Sequence, residues 1–135
     1  MDRYIFSALF EHSEDGGYCI IFPDLPGCIT EGDTLEDAMK MAKEALELHL
    51  WGMEDDGESI SQATAPEDIG ASKGSFVMPI EVYMQLVRDE MNNKSIKKTL
   101  TIPYWLNKVA EEKKVNFSSI LQMALKDQLG IKDAH

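Results

Sequence analysis

The amino-acid sequence predicts an α+β fold, in which an antiparallel sheet with one long helix precedes a small domain of one strand and two helices. Runs of aromatic and branched residues are separated by short turn sequences near the start, and one long segment has apolar residues at spacings of three and four. The last forty residues repeat the order of strand and helix on a smaller scale. The length of 135 residues allows one ordinary domain and a small appendage, and it excludes a large multidomain enzyme.

The first two strands are predicted to form a hairpin. Residues 4–11 and 18–22 are rich in aromatic and β-branched side chains, and the turn sequence HSEDGG lies between them. Pro23 lacks a main-chain N–H and must end the second strand, and turn residues follow it. A short third strand at 28–31 then completes a three-stranded meander.

A long amphipathic helix is predicted to begin at Asp33 or Thr34, either of which is suited to cap it. Glu36 or Asp37, three positions further on, completes a capping box and favours the positive end of the helix dipole. The residues that follow at helical spacing are expected to pack against the sheet: Leu35, Ala38, Met39, Ala42, Ala45, Leu46, His49 and Met53, with Met41, Leu48 and Leu50 widening the face.

The middle of the chain predicts a loop, an edge strand and a hinge. Segment 54–74 is acidic and rich in Ser and Gly, so we expect a long exposed loop that is the most mobile part of the chain. Alternating apolar residues predict a fourth strand at 75–82, which Pro79 confines to a sheet edge or a bulge. A short helix at 83–91 and a hinge at 92–95 follow, and we place the domain boundary between residues 92 and 93.

The charge of the chain changes sign at this hinge. Residues 1–93 carry 20 acidic and 5 basic residues, a net charge of −15, whereas residues 94–135 carry 4 acidic and 8 basic residues, a net charge of +4. Such asymmetry predicts two surfaces with different partners. The basic end is suited to a polyanion such as nucleic acid, and the acidic end is suited to a basic partner.

The sequence predicts a cytoplasmic protein without membrane contact, metal or other cofactor. The first residues lack the pattern of a signal peptide, and no apolar run approaches the roughly 18 residues of a membrane span. Cys19 and Cys28 are the only cysteines, and no His or Cys lies at metal-ligand spacing from them. We expect both thiols to pack as small apolar groups in a reducing compartment.

The segment at 96–102 predicts one more strand, with two chemically different faces. Lys97, Thr99 and Thr101 share the polar face, while the other face is mostly apolar. Pro103 then stops the strand and opens a helix.

Two amphipathic helices complete the chain. The first covers residues 104–114, and the second begins at the N-cap Asn116 and runs to residue 129, with Gly130 suited to end it. A unit of about forty residues without metal or disulfide cannot bury its apolar stripes alone. We therefore expect a dimer, in which two strands pair as an antiparallel ribbon above a shared four-helix core.

The segment KKTLTIPYWLNKVAEEKKVNFSSILQMALKDQL resembles the ribbon-helix-helix family of DNA-binding proteins. The resemblance implies that the ribbon enters the major groove of DNA, with Lys97, Thr99 and Thr101 facing base edges. It also implies that main-chain N–H groups and the helix dipole hold a DNA phosphate at the start of the second helix, at Asn116, Phe117 and Ser118.

The segment GGYCIIFPDLPGCITEGDTLEDAMKMAKEALELHL is similar to the signature region of HicB-type antitoxins. This resemblance implies a partial ribonuclease H-like, toxin-binding domain at residues 1–92 and a ribbon-helix-helix DNA-binding and dimerisation domain at residues 93–135. It further implies an antitoxin that neutralises a HicA-type mRNA-cleaving toxin and represses its own operon as a dimer or higher oligomer. An RNA-cleaving toxin is expected to be basic, and the acidic lobe then offers complementary charge.

Two other functions compete with this interpretation. A nuclease needs carboxylates that converge on Mg²⁺, but Asp15, Asp24 and Asp33 lie in turn sequences where Asp commonly caps or turns the chain, so we expect no enzyme. A ligand-responsive ribbon-helix-helix repressor without a toxin partner stays open for an organic effector. The three histidines, however, suggest no metal-ligand set: His12, His49 and His135.

Overall fold

The computed structural model describes residues 2–132, and the chain divides into two compact units, an amino-terminal unit (1–95) and a carboxy-terminal unit (96–135). The amino-terminal unit is built from β1 (Arg3–His12), β2 (Tyr18–Ile21), β3 (Ile29–Gly32), α1 (Leu35–Asp55), β4 (Ser75–Tyr83) and α2 (Met84–Asn92), with a 3₁₀ turn at Pro66–Asp68. The carboxy-terminal unit is built from α3 (Tyr104–Glu112) and α4 (Phe117–Leu129).

The four strands form one antiparallel sheet in the order β3-β2-β1-β4. The predicted hairpin, meander and fourth strand are confirmed, and β4 lies at a sheet edge, as predicted from Pro79. An edge strand has only one neighbour to bond, so it tolerates a residue without an N–H. The pairing of β4 with β1 brings distant parts of the sequence together, because Phe6 lies opposite Ile80.

A closed apolar core lies between α1 and one face of the sheet. Its largest side chains, all less than 2% exposed, come from strands and helices alike: Phe6, Phe10, Ile20, Phe22, Leu46, Leu50, Val82 and Met84. Each such side chain contributes about 1.5–3 kcal/mol by leaving water. The amino-terminal unit therefore has its own source of stability.

The buried stripe of α1 is narrower than the predicted apolar face. Ala38, Ala42, Leu46 and Leu50 are buried at a strict spacing of four. Each step of four residues turns the stripe by about 40° around the helix. The residues predicted for the core at the first turns, Leu35 and Met39, consequently lie beside the stripe and stay 43% exposed, whereas Leu50 is fully buried.

The start of α1 is fixed by a reciprocal cap and a close contact. Thr34 is the N-cap, and its hydroxyl accepts the Asp37 N–H at 3.1 Å, while the Asp37 carboxylate accepts the Asp33 N–H at 3.1 Å. A Cβ on Gly32 would lie 2.5 Å from the Ala38 Cα, so only glycine lets the helix lie this close to β3.

The acidic segment 54–74 is more ordered than its composition predicts. Helix α1 continues to Asp55, and Ile60 packs against the core. The Asp24 carboxylate then accepts two hydrogen bonds from Thr64, one from the N–H at 2.7 Å and one from the hydroxyl at 2.6 Å. These contacts tie the middle of the loop to the turn after β2.

The carboxy-terminal unit differs from the prediction in its first segment. Residues 96–102 form no helix or strand, because the single chain offers no partner strand for their main-chain groups. The two predicted helices are present, and α4 ends with Gly130 in the left-handed conformation, at φ 71°. Within residues 2–132 no helix is long and apolar enough to cross a membrane.

Candidate functional site

The start of α4 combines a side-chain cap with two main-chain N–H groups. The Asn116 side chain caps the helix by accepting the Ser119 N–H at 3.0 Å, and the Ser118 hydroxyl accepts a hydrogen bond from the Gln122 side chain at 3.1 Å. Within residues 2–132, the N–H groups of Phe117 and Ser118 have no hydrogen-bond partner. The structure therefore brings the three residues predicted to contact a phosphate together at the positive end of one helix dipole.

The residues predicted to read DNA bases lie in the segment without secondary structure. Lys97, Thr99 and Thr101 are all exposed, and the described part of the chain gives residues 95–102 no main-chain hydrogen bond. Their apolar neighbours are exposed as well, and Ile96 is 86% accessible. Both faces of the predicted strand thus remain uncovered in the single chain.

No residue in the described range 96–132 is fully buried. Large apolar side chains are exposed along the whole unit: Leu100, Ile102, Tyr104, Trp105, Leu106, Val109, Phe117, Ile120, Met123, Leu125, Leu129 and Ile131. An apolar surface of this extent on a small unit is typical of an interaction surface.

The three aspartates considered for a nuclease take part in hydrogen bonds of the fold, Asp15 and Asp24 through their carboxylates and Asp33 through its main-chain N–H. Asp15 accepts hydrogen bonds from the Ser13 hydroxyl and the Gly17 N–H, and these bonds lower the pKa of the Asp15 carboxyl. Asp24 binds Thr64, and Asp33 contributes its N–H to the cap of α1. Among residues 2–132, no group of three His, Cys, Asp or Glu side chains is placed to hold a metal ion.

Both thiols and the two histidines within the described residues lie apart from one another in the amino-terminal unit. Cys28 is buried, burial raises the pKa of its thiol to about 11, and its Sγ lies 3.7 Å from the Ala45 carbonyl oxygen. Cys19 is half-buried on β2. His12 packs against Tyr18, His49 is half-buried on α1, and His135 lies outside the described residues.

An arginine joins three parts of the amino-terminal unit. Arg88 on α2 donates to both oxygens of Glu54, at 3.0 and 2.6 Å, and to the Asp2 carboxylate at 2.6 Å. The hydrogen bond from Arg88 holds the pKa of Glu54 below its usual range. This network stabilises the end of α1 and leaves a lobe whose surface is still strongly acidic.

One family of proteins matches residues of both units. A family model for the "HicB_like antitoxin of bacterial toxin-antitoxin system" matches residues 6–124. The chain belongs to this HicB-like antitoxin family. Antitoxin HicB 1 of Photorhabdus laumondii is 46% identical over 41 residues, which are 30% of this chain and 26% of that protein. Alignments with two other curated relatives span 38% and 65% of those proteins.

Solved structures support the HicB fold along nearly the whole chain. A chain of a toxin–antitoxin complex from Streptococcus pneumoniae is 26% identical with a TM-score of 0.60, and the match covers 93% of this chain and 99% of that one. The antitoxin HicB of Burkholderia pseudomallei is 22% identical with a TM-score of 0.56, covering 93% and 98%. The mixed fold with a four-stranded antiparallel sheet is therefore that of HicB antitoxins.

Sequence reasoning missed two features of the amino-terminal unit. The bonds between Asp24 and Thr64 join residues forty positions apart, and no local pattern marks them. Gly52 lies inside α1, facing a groove beside the Asp24 turn. A glycine that interrupts an otherwise favourable helical sequence was the available signal.

Proposed function

We propose that this chain neutralises a HicA-type mRNA-cleaving toxin through its amino-terminal unit and represses its own operon through its carboxy-terminal unit. The observation that carries the proposal is the match of the family model across both units, from residue 6 to residue 124. The charge of −15 on residues 1–93 supports it, because an RNA-binding toxin presents a basic surface. Complementary charge speeds the encounter, and an apolar centre supplies the affinity.

The uncovered apolar side chains support dimerisation of the carboxy-terminal unit. In the proposed ribbon-helix-helix dimer, residues 96–102 of two chains pair as a ribbon, and α3 and α4 cover each other's apolar stripes. Lys97, Thr99 and Thr101 then lie together on the exposed ribbon face and contact base edges. The free N–H groups of Phe117 and Ser118 hold a DNA phosphate.

Co-expression with a HicA-type protein from the same genome tests the antitoxin activity. We expect the chain to relieve growth arrest by the toxin, to stop its mRNA cleavage, and to co-purify with it at about 150 mM salt, where weak surface attraction is largely screened. A toxin that stays active and unbound would contradict the toxin-binding role. If the chain still bound DNA upstream of its gene, a ligand-responsive repressor would then be favoured.

A double substitution tests the DNA-binding role. Replacing Thr99 and Thr101 by Ala should weaken binding to the operator about tenfold, because the variant loses both hydroxyls and both γ-methyl groups that can contact base edges. The dimer should persist, because these side chains point away from the proposed shared core. Electrophoretic mobility shift and sedimentation measure the two properties separately, and full operator affinity in the double variant would show that the ribbon does not read the bases.

A further inference from the structure

A groove separates the second half of α1 from the turn that follows β2. Its volume is about 610 Å³. Leu48 and Met53 from the helix and Leu25 and Pro26 from the turn give it apolar walls. Leu48 is 57% exposed there, although it lies on the helix that supplies Leu46 and Leu50 to the core.

Gly52 lines this groove, and neither steric crowding nor backbone conformation within the chain requires a glycine at this position. Glycine inside a helix costs about 0.5–1 kcal/mol relative to alanine. A Cβ on Gly52 would meet no atom within 4 Å, in contrast to Gly32, where the backbone of Ala38 leaves no room. The backbone of Gly52 is helical, so no left-handed turn requires it either, as one does at Gly57. The glycine therefore leaves the main chain of α1 open to a group from outside.

The charge around the groove decides which group fits. Asp56 and Glu58 contribute carboxylates to the lining, Asp24 adds a third whose two oxygens already accept hydrogen bonds from Thr64, and none of the lining residues is Lys or Arg. A long cationic side chain can place its aliphatic stem on Leu48 and Met53 and its charge at the acidic rim. Arginine suits such a site better than lysine, because its planar guanidinium is less strongly hydrated and donates to several acceptors at once.

We infer that this groove receives an arginine side chain of the toxin. The inference rests on the proposed function, and it names the site on the acidic unit where the toxin is anchored. Arginine in a desolvated pocket is a common source of binding energy at protein interfaces. The open backbone at Gly52 lets that side chain approach the helix closely.

Filling the groove in the full-length chain is the first test. The probe is the HicA-type protein that the wild-type chain binds, and affinity is measured by titration calorimetry. Gly52→Leu should reduce the affinity at least tenfold without lowering the Tm, because leucine favours helix and its Cβ enters open space. Gly70→Leu is the matched control, since a Cβ there also meets no atom within 4 Å and Gly70 does not line the groove. It should change the affinity less than twofold.

Removing charge is the second test, and it identifies the occupant. Asp56→Asn with Glu58→Gln should weaken the complex about tenfold and make its affinity less sensitive to salt. In a double-mutant cycle, one arginine of the toxin should couple to Glu58, so that losing both partners costs less than the sum of the single losses.

Three outcomes would overturn the inference. Unchanged toxin affinity in Gly52→Leu would leave the antitoxin function intact and show that the toxin binds elsewhere. An unchanged salt dependence in the charge variant would exclude a cationic occupant. Altered self-association of Gly52→Leu without toxin would assign the groove to a second copy of this chain. If the wild-type chain bound no HicA-type protein at all, the proposed function itself would fail.

Discussion

The two units of the chain differ in where their apolar side chains lie. In the amino-terminal unit the largest ones are closed between a sheet and a helix, and Phe10 stacks on Phe76 with ring centroids 5.1 Å apart. In the carboxy-terminal unit the helices have clear apolar stripes, but none of the described residues is buried. Amphipathic patterns of the same kind therefore lead to a buried core in one unit and to exposed apolar stripes in the other. The difference follows from size, because two short helices and one unpaired segment enclose too little volume.

Truncating one leucine in each unit, Leu46 in the core of the first and Leu125 in the apolar stripe of the second, separates the two cases. Leu46→Ala should lower the free energy of unfolding of the amino-terminal unit by about 2–5 kcal/mol. The substitution leaves a cavity that the surrounding packed side chains fill only in part. This loss should be the same at every chain concentration. Leu125→Ala, in the half-exposed stripe of α4, should instead act only at concentrations where dimers form.

Urea unfolding at two chain concentrations a hundredfold apart measures both effects. A loss in Leu125→Ala that does not depend on concentration would mean that the carboxy-terminal unit closes a core without a second copy. Both units would then be stable as single chains and would differ only in how much apolar surface each of them buries.

Two ion pairs of the amino-terminal unit differ in how far they are exposed to solvent. Arg88 and Glu54 have side chains that are 28% and 26% exposed, whereas the pair of Arg3 and Glu81 is 58% and 37% exposed. Because Arg88 lowers the pKa of Glu54 in the folded state, the ionised pair stabilises the fold above the ordinary pKa of the glutamate, which is 4.5. That contribution is lost as the pH falls through the lower folded pKa.

Replacing Arg88 by Met should therefore lower the free energy of unfolding by about 1 kcal/mol at pH 7. It should also make the fall of that free energy between about pH 5 and 3 less steep. Arg3→Met is the control, and it should change the pH profile less because solvent screens that pair. Chemical denaturation across this pH range gives both profiles. Equal profiles for the two variants would show that the partial burial of Arg88 has no energetic effect.

Most of the secondary structure follows from local patterns in the sequence. The four strands and four helices that form within residues 2–132 begin and end within two residues of the predicted positions, because Pro23, the Thr34 cap and Gly130 act on their nearest neighbours, whereas the strand predicted at 96–102 is absent. Long-range features did not follow in this way. The pairing of β4 with β1 and the bonds from Thr64 to Asp24 depend on the folded shape, so the loop was expected to be more mobile than these contacts allow.

The candidate sites divide along the same line. The start of α4 was predictable, since an N-cap and the main-chain N–H groups after it are set by a few consecutive residues. The ribbon at 96–102 remains a prediction, because its hydrogen bonds require a second chain. The groove beside Gly52 was not predictable, since its walls come from a helix, a turn and a loop that meet only after folding.

The helix ends offer the finest test of how the two units are built. Helices α1, α3 and α4 close with the same hydrogen bond, in which Glu58, Val115 and Ile131 donate to the carbonyls of Met53, Ala110 and Lys126, respectively. The residue before each donor is left-handed. Two of these residues are glycines, Gly57 and Gly130, but α3 has a lysine, Lys114, at φ 54°.

Lys114→Gly should raise the free energy of unfolding of the proposed dimer by about 0.5 kcal/mol. A side chain in the left-handed region costs about 1–2 kcal/mol, and glycine offsets part of that gain by its greater freedom in the unfolded chain. Lys114→Ala keeps the Cβ and removes the charge, so it should not raise the free energy of unfolding. Gly130→Ala should lower that free energy by about 1 kcal/mol. Thermal unfolding at one fixed concentration compares all three. A gain in Lys114→Ala as large as in Lys114→Gly would assign the effect to charge, because only backbone strain distinguishes alanine from glycine at this turn.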